Sequence, residues 1–262
     1  MNDGIRYLGH ATTVVDLANT RILTDPILTE RVLFIRRVTT DVPRAPESPS
    51  AVLISHAHQD HLHLPSMKLL PRELPVFVPV GLGAFVRRWG FESVTEMPVG
   101  AQVELGPTTV RAVPAVHSGK RPPSGPSAEA IGFVIVGGGH TVYFAGDTDL
   151  YDGMADLAEL DIDIALLPVW GWGPRLGPGH LDPQRAAEAV ARLRPDVVIP
   201  IHWGTLWPMA MRWRRHRLSE PPLQLEEEVR RRNLPARVVI LAPGEAYALS
   251  PGPEPGRPRS GR

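Results

Sequence analysis

The chain has 262 residues, 43% of them hydrophobic, which is enough for one large domain or two small ones with a sizeable core. Lys+Arg and Asp+Glu each number 28, and the resulting net charge of zero argues against a dedicated nucleic-acid binder. Cysteine is absent, which excludes disulfides and thiolate zinc sites, so only His, Asp or Glu could hold a metal.

The first part of the chain is predicted to be β structure followed by a loop. The N-terminus lacks the charged and apolar regions of a signal peptide, and no apolar run is long enough to cross a membrane, so we expect a cytoplasmic protein. Residues 5–24 have the β-rich pattern of three strands joined by turns. Residues 27–50 are polar, basic and proline-rich without a clear period, which predicts a long loop that could border a site.

The most distinctive stretch follows an apolar run at 51–54, which is typical of a buried strand. It places four histidines and one aspartate within eight positions: His56, His58, Asp60, His61 and His63. Neutral imidazole and carboxylate suit zinc and, to a lesser degree, manganese or iron. A strand that delivers these groups to a loop therefore indicates a metal site, and His63 is expected at the surface or behind the ligands rather than among them.

The rest of the chain alternates helices and strands in a layered α/β pattern. Helices are predicted near 65–70, 82–89, 151–160, 182–194 and 223–233. Strands are predicted at 75–78, 93–97, 102–105, 109–116, 130–136, 141–145, 162–168, 197–201, 237–242 and 246–249. Asp182 is the expected N-cap of its helix, with Pro183 at the first helical position. From Pro251 onward the composition predicts a disordered tail of Pro, Gly, Arg and Ser.

Three further side chains with ligand chemistry stand at or near the ends of apolar β runs, namely His117, Asp147 and His202. Sites in open α/β sheets form beyond the carboxyl ends of strands, so we expect these residues to meet the histidine motif. Seven ligands exceed the need of one tetrahedral metal and suffice for two. Two ions about 3.5–4 Å apart can clamp the attacking and leaving oxygens of a displacement and make hydroxide available at neutral pH.

The motif HAHQDH, a later lone histidine, a Gly-Asp strand end and a final histidine after an apolar strand resemble the metallo-β-lactamase-fold hydrolase superfamily. The order of these features holds over about residues 5–249. The stretches YLGHATTVV, LTDP and GHLDP resemble the branch that holds ascorbate-6-phosphate lactonase and the phospholipase D that hydrolyses N-acyl-phosphatidylethanolamine. The resemblance implies a four-layer αββα sandwich over residues 1–250, followed by the tail 251–262.

The resemblance also implies roles for the ligands and the cofactor. It implies two ligand sets joined by one bridging carboxylate: His56, His58 and His117 for one metal, Asp60, His61 and His202 for the other, and Asp147 between them. The ions would be divalent, zinc first, with manganese or iron as alternatives. A metal-bridging hydroxide, held by Asp60, would attack phosphorus or carbonyl carbon, and His180 would protonate the leaving group or bind the anionic oxygen. The absence of cysteine, which β-lactam-hydrolysing members often use as a ligand, disfavours antibiotic hydrolysis.

Several roles stay open at this stage. His10 could orient a ligand, contact substrate or be a plain turn residue, and Asp25 could accept a hydrogen bond from a liganding imidazole or only form a turn. Three tryptophans could wall an apolar pocket or belong to the core, namely Trp170, Trp172 and Trp203. Arg121 and Arg175 could hold an anion, although solvated surface charge is the usual explanation. The basic segment Arg212–Arg217 is expected to be solvated.

Three functions remain open in turn. The first is phosphodiester hydrolysis of a small-molecule or phospholipid-like substrate, in the manner of a phospholipase D. The second is a lactonase or other carbonyl ester hydrolase. The third is a non-catalytic metal-binding or regulatory protein. Stable nucleic-acid binding and a transmembrane segment are not expected, whereas a homo-oligomer stays open.

Overall fold

The computed structural model describes residues 2–38, 41–211 and 218–250. Two seven-stranded sheets pack face to face, and helices cover the outer face of each sheet. This arrangement is the predicted four-layer αββα sandwich. The predicted tail 251–262 and the basic segment Arg212–Arg217 lie outside the described residues.

The first sheet runs from antiparallel strands at one edge to parallel strands at the other. Its members are β1 (Gly4–Gly9), β2 (Thr12–Leu17), β3 (Thr20–Thr24), β6 (Ala51–Leu53), β7 (Val76–Pro79), β8 (Val94–Met97) and β17 (Ala246–Ala248), in the order β17-β1-β2-β3-β6-β7-β8. Successive side chains alternate between its two faces, as the pleat requires. Val52 packs toward the helices of the outer layer, whereas Leu53 packs into the core shared with the second sheet.

The second sheet has the order β16-β14-β13-β12-β11-β10-β9. Its members are β9 (Gln102–Leu105), β10 (Thr108–Pro114), β11 (Ile131–Gly137), β12 (His140–Phe144), β13 (Ile164–Pro168), β14 (Val197–Ile201) and β16 (Arg237–Val238). Strands β12, β13, β14 and β16 are parallel, and every residue of β13 and β14 is buried. Burial on both faces explains why these two strands are continuous apolar runs.

Within the described residues, the helices that complete the outer layers include α1 (Leu64–Met67), α2 (Gly83–Arg87), a 3₁₀ helix (Asp152–Leu160), α3 (Pro183–Leu193) and α4 (Glu220–Arg231). The predicted cap of α3 is confirmed, because the Asp182 carboxylate accepts a hydrogen bond of 2.8 Å from the Arg185 amide. No helix in the described ranges combines the length and the apolar character that a membrane crossing needs.

The prediction of an unstructured loop at 27–50 is wrong in part. Strands β4 (Arg31–Val32) and β5 (Ile35–Arg37) form a hairpin, and β5 pairs antiparallel with β15 (Leu206–Pro208) in a third, three-stranded sheet. Strands of two or three residues are too short to show a period-2 pattern, so the sequence carried no sign of them. The hairpin matters because β15 begins four residues after His202.

Candidate metal centre

The candidate ligands sit on loops that leave one shared edge of the two large sheets. The histidine motif follows β6, Asp147 follows β12, and His202 directly follows β14. Strand β10 is antiparallel to β11, which is antiparallel to β12, so the loop with His117 leaves the sheet at the same edge as Asp147. The strand ends therefore bring the seven predicted side chains together. This was expected, because sites in open α/β sheets form beyond the carboxyl ends of the strands.

Three histidines form the first cluster: His56, His58 and His117. Their ligand nitrogens lie within 4.8 Å of one another. His117 Nε2 is 3.1 Å from His58 Nδ1, and the His56 ring packs edge-on against both of the other rings. Three imidazole nitrogens that converge in this way can hold one zinc-like ion.

The second cluster contains Asp60, His61 and His202, and His10 lies within the same 4.8 Å limit. The Nε2 atoms of His61 and His202 are 3.1 Å apart, and each lies 3.8 Å from Asp60 Oδ2. A carboxylate oxygen and imidazole nitrogens at this spacing form a second potential cation site.

Asp147 lies between the two clusters. Its Oδ2 is 3.1 Å from His61 Nε2 and 3.9 Å from His117 Nε2, and its Oδ1 is 3.2 Å from His202 Nε2. The carboxylate thus approaches imidazoles of both clusters. This is the position that a bridging ligand between two cations would need.

Hydrogen bonds from behind the site set the tautomer of several of the candidate ligand rings. Asp25 accepts from His61 Nδ1 at 2.7 Å, and the Trp170 carbonyl accepts from His202 Nδ1 at 2.8 Å. The Gly179 carbonyl likewise accepts from His117 Nδ1 at 2.6 Å. In each neutral ring the proton is therefore on Nδ1, and the Nε2 lone pair points into the site.

The tautomer of His56 is set in the same way, with the Ser55 hydroxyl between His56 and Asp25. The Ser55 hydroxyl donates to Asp25 Oδ2 at 2.5 Å, so it can only accept from His56 Nδ1, which is 3.0 Å away. His56 Nε2 is then left as a buried acceptor without a hydrogen-bond partner, and Asp147 Oδ1 is also without one. Buried polar atoms are almost always paired, so these two call for a cation.

The same conclusion follows from the contact between His61 and His202. When both rings are neutral, each carries its proton on Nδ1, and their Nε2 lone pairs then face each other across 3.1 Å. Two lone pairs at that distance repel unless a positive charge lies beside them. The donor set therefore fits divalent metal ions of the zinc or iron type.

Burial keeps most of the candidate histidines neutral. It lowers the pKa of His58 to about 4, and it also lowers the pKa values of His56, His117 and His202. Neutral imidazole is the form that binds a metal, because the lone pair is free.

The buried carboxylates, in contrast, favour a positive charge in the site. Burial alone would raise the pKa of Asp60 and of Asp147, but neighbouring imidazoles hold both pKa values well below the usual range. Burial would also lower the pKa of His61, yet Asp147, Asp25 and Asp60 together raise it well above its ordinary value. Negative charge at the site thus favours a positive charge, which a proton or a metal ion can supply.

His10 does more than form a turn. Its Nε2 lies 2.9 Å from Asp60 Oδ2, and its carbonyl accepts a hydrogen bond of 2.7 Å from the His202 amide. The residue has a positive φ of 57° and is buried, and its amide donates to the Thr205 hydroxyl. His10 therefore contacts two of the candidate ligands, one by its side chain and one by its backbone.

His180 approaches the site from the loop before α3. Its Nε2 is 3.3 Å from Asp147 Oδ2, and its Nδ1 lies 3.1 Å from the carbonyls of Gly177 and Pro178. Burial would lower the pKa of His180, but the Asp147 carboxylate outweighs burial and raises this pKa to about 9. His180 also lines a cavity of about 430 Å³ that opens over Asp60 and Asp147.

The tertiary structure separates the residues whose roles stayed open. Trp172 and Arg175 line the cavity, whereas Trp203 is buried and stacks on Tyr7. Arg121 is buried, and its guanidinium donates to the carbonyls of Ala57 and Leu62, so it holds the histidine loop rather than an anion.

Three further residues lie beside the candidate ligands: His63, Ser55 and Arg121. His63 joins neither cluster and is buried, and it bonds to the Ser66 hydroxyl at 2.7 Å. Ser55 was overlooked, although its position between strand and motif was a usable signal. For Arg121 the sequence offered none, because nothing local distinguishes an inward-turned arginine from a solvated one.

Comparisons with known proteins show the family to which the chain belongs. The family model described as the beta-lactamase superfamily domain matches residues 20–203. A UPF0173 metal-dependent hydrolase of Methanopyrus kandleri is 32% identical over 253 residues, which cover 93% of this chain and 98% of that protein.

Two solved structures have a similar fold. Igni18, a metallo hydrolase from Ignicoccus hospitalis, matches with a TM-score of 0.74 at 24% identity, over 95% of this chain and 99% of its own. CmlA, a diiron beta-hydroxylase from Streptomyces venezuelae, matches with a TM-score of 0.72 at 22% identity, over 95% of this chain and 54% of its own. At these identities the likeness concerns the fold alone.

Proposed function

Since the chain belongs to the metallo-β-lactamase superfamily and is a metal-dependent hydrolase, we propose that it uses two divalent metal ions to hydrolyse a phosphodiester. The observation that carries the proposal is the position of Asp147 between two clusters of converging ligand atoms. A single ion could not satisfy both clusters, because seven donors exceed one tetrahedral shell.

The proposed ligand sets follow the two clusters. His56, His58 and His117 would hold one ion, Asp60, His61 and His202 the other, and Asp147 would touch both. Zinc is the first candidate because imidazole predominates, and iron or manganese remain alternatives.

When bound, metal ions would supply an activated water at neutral pH and would offset charge that develops on the substrate. Asp60, which borders the cavity, would orient the attacking hydroxide, while the hydrogen bond from His10 holds this carboxylate in place. Asp25 would fix the His61 ring through Nδ1. His180 would bind the anionic oxygen or give a proton to the leaving group.

A lactone or other carbonyl ester is the second candidate substrate. Only one side chain among those that line the cavity, Arg175, is a permanent cation, so the lining of described residues makes little special provision for an anion. The two ions themselves could offset the charge of a phosphodiester. A non-catalytic role is not supported, because the Methanopyrus kandleri relative is named as a metal-dependent hydrolase.

The test is a substrate panel assayed with zinc-, iron- and manganese-loaded protein. We expect bis(p-nitrophenyl) phosphate to be hydrolysed with a higher kcat/KM than δ-valerolactone or p-nitrophenyl acetate. Metal content by mass spectrometry should approach two ions per chain, the number that the two clusters require. Hydrolysis of the lactone alone would favour the second candidate, and a stoichiometry of one would contradict the dinuclear proposal.

Replacing His180 with Ala should lower kcat by about a hundredfold, the effect of removing one general acid, while metal content stays unchanged. The reason is that His180 contacts Asp147 from the cavity side and belongs to neither ligand set. His140→Ala is the matched control, because His140 bonds to the Ser250 carbonyl at 2.8 Å, away from the site. Loss of one ion from the His180 variant would instead identify His180 as a ligand.

A further inference from the structure

Two large apolar side chains are exposed side by side at the tip of the β4–β5 hairpin. Leu33 is 62% exposed and Phe34 is 53% exposed. Single exposed apolar residues are common and need no explanation. This pair differs because both side chains border the cavity over Asp60 and Asp147.

The cavity has a second apolar wall that meets the hairpin. The Phe34 ring packs edge-on against Trp172, with centroids 5.2 Å apart and planes at 79°. Leu176 continues this wall beside Trp172. An apolar group that enters the cavity would therefore contact aromatic and aliphatic surface on both sides while its reactive end faces the candidate metal centre.

The base of the hairpin is firmly attached to the fold. The Val38 amide donates to the Thr205 carbonyl at 3.0 Å, and the Met209 amide donates to the Phe34 carbonyl at 3.2 Å. Buried Arg37 donates to the carbonyls of Leu8 and Ile27, at 3.0 and 2.9 Å. The apolar wall is thus largely preformed, which reduces the entropy lost when a substrate binds.

The size of the cavity limits what can fill it. Its volume of about 430 Å³ equals that of about fourteen water molecules at ~30 Å³ each. An aromatic ring or short chain attached to a reactive ester fits this volume. Two long acyl chains do not, so the cavity cannot enclose a complete diacyl phospholipid.

We infer that Leu33, Phe34 and Trp172 form a specificity subsite for an apolar substituent, of ring or short-chain size, on the ester that the enzyme hydrolyses. The inference rests on the proposed function for the position of the reactive end. It adds the substrate class, which is an ester with one compact apolar arm. It also assigns the selectivity for this arm to the hairpin rather than to the metal ligands.

The kinetic test uses two diesters with one leaving group, p-nitrophenyl phenyl phosphate and p-nitrophenyl methyl phosphate. In both diesters water adds at phosphorus and p-nitrophenolate leaves. The ratio of kcat/KM for the phenyl diester to kcat/KM for the methyl diester is measured for the wild type and for each variant. A change in this ratio therefore reports only the contacts made with the phenyl or methyl group. We expect Phe34→Ala to lower this ratio about tenfold, mainly through KM for the phenyl substrate. Phe34→Leu should retain most of the wild-type ratio. Leu69→Ala removes an exposed leucine outside the cavity and should leave the ratio unchanged.

A binding test distinguishes failure of this inference from failure of the proposed function. Zinc-loaded protein is titrated with phenylphosphonate and with methylphosphonate by calorimetry. We expect the wild type to bind phenylphosphonate more tightly than methylphosphonate, and Phe34→Ala to abolish this preference. That result would support the subsite even if neither diester were hydrolysed. Equal affinity for both compounds, or an equal loss for both in Phe34→Ala, would overturn the subsite, even in an enzyme that hydrolyses both diesters.

Discussion

Replacing Asp147 with Asn is expected to lower kcat of the metal-loaded enzyme by about a thousandfold, equivalent to ~4 kcal/mol of lost charge stabilisation. Asn keeps the shape of the side chain but removes the negative charge that lies between the two clusters. It also exchanges an acceptor for an amide donor or a neutral oxygen beside four imidazoles, those of His61, His117, His180 and His202. Metal content should fall toward one ion per chain, because each proposed ligand set loses its shared member.

Asp149→Asn provides the control for this experiment. Asp149 lies two residues further along the same loop, where it pairs with Arg185 and takes no part in either cluster. Its substitution should leave kcat and metal content within about twofold of the wild type, since such a surface ion pair contributes little. Two retained ions and near-normal activity in the Asp147 variant would refute the bridging role.

Removing the metals is expected to have the second large effect, on thermal stability as well as on activity. The site buries three carboxylates and the unpaired acceptors His56 Nε2 and Asp147 Oδ1, so the native state without cations retains uncompensated charge. At a free metal concentration a hundredfold above Kd, each ion stabilises the native state by about 2.7 kcal/mol. Two ions should then raise Tm by roughly 10–20 °C, at about 2–4 °C per kcal/mol for a chain of this size.

The measurement compares chelator-treated protein with the same protein titrated with zinc, by scanning calorimetry. Magnesium at equal concentration is the control, because it prefers oxygen ligands in octahedral geometry and the site offers mainly imidazole. The Asp147→Asn variant should show about half of the zinc-dependent shift. A Tm that zinc leaves unchanged would show that the clusters do not bind the metal in the native state.

Sequence patterns alone were sufficient to predict the family, the layered fold and the set of candidate ligands. Ligand-bearing loops follow the apolar runs of β6, β12 and β14, and the direction of a parallel strand places its end at a shared edge. The side chains of the HAHQDH motif are close together along the chain, so this part of the ligand set could be recognised without the tertiary structure. Metal binding by the seven side chains, a cytoplasmic location and the oligomeric state stay predictions.

Packing between distant segments, by contrast, places the groups that lie behind the candidate ligands and the groups that line the cavity above them. Asp25 reaches His61 across 36 positions of the chain, and His10 reaches Asp60 across 50. The hairpin tip with Phe34 meets Trp172 only because β5 pairs with β15, a contact between strands too short to leave a pattern in the sequence. The direction of a side chain at a turn depends on packing between distant segments, and no local spacing encodes that packing.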